Sequence, residues 1–196
     1  VHNDIVLTRE DTRTTTREWM VEHIPRGDYI LVEPLVPQEW YRDGGLPVSD
    51  RTQEGFRWRR FIRTKADIER LARRHPGSRK NADFANYAYT LFPDLFDYYR
   101  RNGVCWIVSG SGQSGRAFNN PKRVPAAIRY YGALRREARL RFSASPFGPP
   151  GSGPDHPFQY DHTFNYYPLD YERPGPVMRV YELRDCSPQR GAITER

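Results

Sequence analysis

The residues from 104 to 118 read VCWIVSGSGQSGRAF, and Gly110, Gly112 and Gly115 within them stand at the G-x-G-x-x-G spacing. That spacing after a strand can build a pyrophosphate site: the glycines let the backbone approach the phosphates, and the next helix turns its positive end toward them. The pattern is complete only when the third glycine lies in the first turn of a helix and an acid for the ribose lies about 20 residues on, after a second strand. Here Pro125 sets the expected helix start near 125, and Glu137, at the right distance, falls inside that helix. The stretch therefore reads as a permissive loop at the end of a core strand. Ser111, Gln113 and Arg116 are its candidate ligand contacts, with Arg116 the natural partner for an anion.

Asp155-His156 and Asp161-His162 repeat an acid–imidazole pair whose donor types suit a divalent cation. The two pairs repeat at an interval of six residues with Pro157 stiffening the chain between them, and no further ligand is evident, so solvated surface groups are the reading preferred. No nucleophile elbow, zinc-protease helix, P-loop lysine or C-x-x-C pair occurs, and neither a catalytic residue nor a cofactor is implied. Cys105 and Cys186 fit one disulfide or two buried thiols.

The most unusual chemistry lies between 148 and 176, a Pro/Gly stretch carrying Phe158, Tyr160, Phe164, Tyr166, Tyr167 and Tyr171. Clustered aromatics with polar tips suit stacking on sugar faces, a partner surface or a membrane interface. They equally suit a lid packed on a sheet. Tyr160, Tyr166 and Tyr167 are the ligand-binding candidates. Arg57, Trp58, Arg59 and Arg60 could stack and pair with single-stranded nucleic acid. No nucleic-acid motif accompanies them, so nucleic acid is not the expected partner.

These groups need a scaffold, and 196 residues suffice for one sizeable core. A net charge of +7 favours acidic partners such as anionic lipid or phosphorylated ligands. Mean hydropathy is low at −0.84, yet 14% of the residues are aromatic, which excludes wholesale disorder. No apolar run approaches the roughly 18 residues of a membrane helix, and no signal peptide is visible. The chain opens at Val1, which reads as an excised or processed fragment.

Apolar periodicity predicts helices over 8–24, with Thr8-x-x-Asp11 as a capping box, over 65–74 with Ile68 and Leu71 on one face, and over 125–138. An aromatic stretch at 81–103 is helical in part, broken at Pro93, with Asp94 as a cap and Gly103 as its end. Strands are expected at 29–36, 104–109, 140–147 and 177–183. Residues 56–64 read as a half-wet strand or a basic loop, and 37–55 as an irregular excursion. This alternation predicts a small α/β fold, three-layered or Rossmann-like, with four or five strands. It forms a single domain over 1–186, followed by a polar tail at 187–196.

Three stretches, kept in order, carry a resemblance. DTRTTTREWMVEHIPRGDYILVEP (11–34) has a Thr-Arg start, a Trp-bearing helix, Ile-Pro-x-Gly and a strand ending in Glu-Pro. DYYRRNGVCWIVSGSGQSGRAF, with IRYYGAL after it, has a strand with a Ser-rich end, an Arg-bearing loop and a tyrosine helix. RPGPVMRVYELRD closes with Gly-Pro and a strand holding Tyr-x-Leu. Together they resemble the C-terminal soluble region of membrane glycosyltransferases that use polyprenyl-phosphate sugars, relatives of protein O-mannosyltransferases and the aminoarabinose transferase of lipid A.

The resemblance implies an extracytoplasmic domain attached to a bundle of membrane helices absent from this chain. The family's catalytic carboxylates lie in loops between those helices, so none carries over. The domain would cover the transfer site or help to choose the acceptor, with lipid-phosphate head groups or a glycan acceptor as partners. The excursions at 37–60 and 148–176 exceed the family pattern. Two competing readings are a stand-alone nucleotide- or sugar-phosphate-binding enzyme using Gly110–Gly115, and a basic interaction module for anionic polymers.

Overall fold

A single aspartate decides where the first long helix begins. Asp11 has extended backbone angles, and its carboxylate accepts a hydrogen bond from the Arg13 amide at 2.8 Å, satisfying one of the helix's orphan donors. Helix α2 then runs Thr12–His23 in the computed structural model, which describes residues 1–34, 58–61, 63, 65–74, 86–149, 151–157 and 167–189. The residues before it form a separate helix, α1 (His2–Leu7), and the Thr8 hydroxyl donates to the Ile5 carbonyl at its end. The helix expected over 8–24 thus starts only at Thr12, because Thr8 closes a separate, earlier helix that the sequence reading did not include.

The remaining elements are β1 (Tyr29–Val32), β2 (Arg59–Arg60), α3 (Lys65–Ala72), a 3-10 turn (Tyr87–Thr90), α4 (Leu95–Arg101), β3 (Val104–Gly110), α5 (Ser111–Asn119), α6 (Pro125–Glu137), β4 (Ala138–Ala144) and β5 (Met178–Leu183). β1 stops short of Pro34, which has no N–H to offer a ladder. Asp94 stands at the N-cap of α4 but its side chain makes no capping bond. Gly103, just beyond that helix, has φ of +64°, and a Cβ there would meet the Gln189 backbone at 2.5 Å, so glycine is required. Residues 148–149, 151–157 and 167–176 contain no helix or strand.

The five strands form one mixed sheet in the order β2-β1-β3-β5-β4. β2, β1 and β3 run parallel, and β5 is antiparallel to both its neighbours. On one face α2 sets Met20 and Ile24 against Ile30, Val32, Val108 and Val180. On the other, α4, α5 and α6 pack Leu95, Tyr99, Ala117, Tyr130 and Leu134 against Leu31, Ile107 and Leu183. The fold is therefore a small three-layer α/β arrangement, its helices covering both faces of the sheet.

Two details govern the site. The chain passes from β1 to β2 on one side and returns to β3 on the other. The carboxyl ends of β1 and β3 consequently flank a topological switch point, where open α/β sheets leave a crevice. Lower in the same pair, Tyr29 faces Val104 while Ile30 faces Trp106, leaving Cys105 as an extra, bulged residue. Cys105 and Trp106 both join the α2-side core, and Cys105 is bonded there to Cys186, 81 residues later, with the two Cα atoms 5.5 Å apart.

The largest departure from the sequence reading is α5. Residues 111–119 are a helix, not a strand-end loop, even though glycines at 112 and 115 weaken helix propensity by about 1 kcal/mol each. Packing overrides propensity here. Ser111, Gln113, Ser114, Gly115 and Ala117 are all buried, so the small residues let the helix lie close on the sheet.

Candidate functional site

At the switch point the first group met is a carboxyl. Glu33 directly follows β1, and its own amide extends the ladder by donating to the Val108 carbonyl at 3.0 Å. Its side chain turns across the crevice to β3, where Oε2 accepts from the Gly110 amide at 3.0 Å and Oε1 from the Tyr131 hydroxyl at 2.8 Å. Tyr131 reaches it from α6, with its own ring 3% exposed. Glu33 is 2% exposed, and burial pushes its carboxyl up to about 7, against the opposing pull of hydrogen bonds from Gly110, Tyr131 and the Ser109 side chain. Burial, and then the nearby Glu33, pushes the Tyr131 phenol well above its usual range.

A helix does follow the strand, but it starts at Ser111, which puts Gly115 on its second turn, and its first two amides are already engaged. The Ser111 amide donates to the Val177 carbonyl at 2.9 Å, and the Ser111 hydroxyl accepts from the Val177 amide at 3.0 Å. Gly110, with φ of −122°, sits in extended backbone open to any residue. A pyrophosphate at this end would have to displace the Glu33 carboxyl from Gly110 and the loop before β5 from Ser111. Gln113 is buried on the first turn and Arg116 is half-buried on the second, both with further contacts.

Beside Tyr131 lies a second polar cluster. His156 stacks on Phe118, with ring centroids 3.9 Å apart, and lies 6.2 Å from the Tyr131 ring. Arg135 donates to His156 Nε2 at 3.0 Å and to Asp155 Oδ2 at 3.1 Å, while Arg179 donates to Asp155 Oδ1 at 3.2 Å. Burial first, then the cations of Arg179 and Arg135, push the imidazole down to about 4, so His156 is neutral near pH 7. Arg135 holds Asp155 below the usual carboxylate range. Two guanidiniums thus occupy the lone pairs that a metal would need. Asp161 and His162 lie outside the described residues, and no group of metal ligands forms among the described ones.

Of the aromatic candidates, Tyr160 and Tyr166 lie outside the described residues. The Tyr167 amide donates to Asn3 Oδ1 at 3.0 Å, and its ring lies against Tyr171, so this end of the long loop is fastened to α1. Trp58, considered above as a base-stacking platform, is 1% exposed, and its indole donates to the Ile24 carbonyl at 3.2 Å. Its face belongs to the core. Arg57 lies outside the described residues.

Glu33, Tyr131, Arg135 and Arg179 organise this region and were not singled out by sequence reasoning. The one available signal was Glu33 itself, an acid closing an otherwise apolar run, YILVEP. Comparison with protein-family models, with curated proteins and with solved structures gives no match for the chain.

Proposed function

We propose that this chain is a non-catalytic extracytoplasmic domain of a membrane glycosyltransferase that transfers a sugar from a lipid-phosphate carrier. Its role is to cover the transfer site or to aid acceptor recognition. The observation that carries the reading is the Cys105–Cys186 disulfide, which joins buried Cys105 in the central strand β3 to half-buried Cys186. Such bonds persist in oxidising compartments and are rare in the cytosol.

Two features support it further. The three stretches that resemble this family supply β1, β3 and β5, which are adjacent in the sheet, so the resemblance follows one contiguous structural unit. The competing nucleotide-binding reading loses weight because Glu33 and Val177 already engage the amides of Gly110 and Ser111.

The test uses the full-length parent protein in intact cells. A cysteine replacing the exposed Arg139 should react with a membrane-impermeant maleimide from outside. Deleting residues 1–189 should lower sugar transfer from a polyprenyl-phosphate donor without preventing membrane insertion. Labelling only after the cytoplasmic side is opened would overturn the reading.

A further inference from the structure

Between α3 and α4 lies a cavity of about 440 Å³, lined by Asp67, Arg70, Arg74, Tyr98, Arg101 and Asn102. Its size falls within the roughly 300–1,000 Å³ range of small-ligand clefts. Its lining is unusual for such a cleft, because among the described residues Tyr98 is the sole aromatic and the rest is charged or amide. Three guanidiniums face one carboxylate.

That carboxylate is already engaged. Asp67 accepts from Arg70 Nη2 at 2.7 Å through Oδ1 and from the Tyr98 hydroxyl at 2.8 Å through Oδ2. The Tyr98 phenol is pushed up to about 12, by burial first and then by Asp67, so it remains a donor across the physiological range. Arg74 and Arg101 pair with no carboxylate among the described residues. The negative end of α4 offsets part of their field, but a helix terminus carries only about half a charge. Two guanidinium forks thus face a cavity in which the one acid among the described residues is taken up by Arg70 and Tyr98.

We propose that this cavity is an anion site that receives a phosphate group, with Arg74 and Arg101 as its principal donors and the Asp67–Arg70–Tyr98 network as the frame that holds its shape. Guanidinium forks match phosphate oxygens two at a time, which makes phosphate a better fit than a monovalent, spherical anion. Among the described residues the lining offers no apolar bed for a nucleobase, so the recognised unit is the phosphate itself, free or on a lipid head group. The site is measured on the isolated chain, so its failure leaves the proposal of a membrane glycosyltransferase domain untouched, and the reverse holds too.

Inorganic phosphate and pyrophosphate are titrated by calorimetry into the full chain at low salt. Vesicles of phosphatidylcholine with and without phosphatidic acid form the second arm. Arg74→Gln with Arg101→Gln should weaken binding at least tenfold in whichever arm shows it. Arg139→Gln with Arg129→Gln, which removes equal charge elsewhere, should change it less than twofold, and circular dichroism should show both doubles folded. Binding of pyrophosphate identifies a soluble phosphate ligand; binding only to phosphatidic acid vesicles identifies a head group. The proposal is overturned if neither arm shows binding, or if both double variants lose it equally.

Discussion

The carboxyl ends of β1 and β3 and the cavity between α3 and α4 are both places where a protein can receive an anion, and they are filled in opposite ways. At the strand ends the recognisable glycine motif leads to a helix end whose first two amides are taken by the chain itself, with Glu33 on Gly110 and Val177 on Ser111. At the α3–α4 cavity no motif announces a site, yet the guanidiniums outnumber the acids. A spacing of glycines describes what a backbone can do. Whether the amides it presents remain available depends on a side chain 77 residues away.

The sharpest way to break the sealed end is to loosen the sheet behind it. Replacing Cys105 and Cys186 by serine together releases a loop spanning 81 residues of sequence separation, for which chain entropy alone estimates a loss of about 4.5 kcal/mol. Urea unfolding of the pair variant against the oxidised parent should show a lower midpoint. An unchanged midpoint would mean that the bulge and its core hold β3 without the bond.

Removing the plug itself comes next. Glu33→Ala leaves the Gly110 amide and Tyr131 hydroxyl without their buried acceptor and opens a small void. We expect a loss of about 4 kcal/mol at pH 5, where the parent carboxyl is largely protonated. Denaturant unfolding measures it, and a loss under about 1 kcal/mol would show that water replaces the carboxyl freely.

The pH dependence of Glu33 sharpens the same point. Its carboxyl lies near 7 in the folded chain and near 4.5 unfolded, so the folded state holds the extra proton between these values. This contribution to stability is fully present below about 4.5, declines as pH rises, and is lost above about 7. The parent should therefore lose up to about 3 kcal/mol between pH 5 and 8 through this group. Glu33→Gln, which mimics the protonated form, should flatten that slope and be the more stable of the two at pH 8. Parallel pH profiles for the two proteins would contradict the assignment.

How much of this was legible beforehand follows from the same physics. β1, β3 and β5 were expected from apolar runs, and α6 was expected from its periodicity and Pro125, because local pattern and tertiary role agree there. α5 was missed because G-S-G-Q-S-G contradicts helix propensity, and only burial against the sheet stabilises it. The start of α2 was misplaced, and α1 before it missed, because Thr8 and Asp11 fit one capping box, whereas each serves a different helix. Glu33 was passed over because an acid at a strand end is ordinarily solvated. Its partner Tyr131 comes from a helix 98 residues later, and nothing local announces that pairing.

The smallest expected effect belongs to the open cavity. Arg74→Gln with Arg101→Gln should leave stability within about 0.5 kcal/mol of the parent, since both side chains are exposed and neither has a carboxylate partner among the described residues. A large loss would mean that these arginines are structural, and that the cavity is filled as the strand-end crevice is.

The central claim is that the protein's own groups take up the first amides of the glycine motif, so that a nucleotide phosphate must displace them to bind. A thermal-shift titration of the parent chain with NAD, ATP and a uridine diphosphate sugar, each to about 5 mM, tests it most directly. Any saturable rise in Tm should come from phosphate at the α3–α4 cavity and disappear in the Arg74→Gln, Arg101→Gln variant. A saturable rise that survives Arg74→Gln with Arg101→Gln, and disappears when Gly110 is replaced by valine, would contradict it.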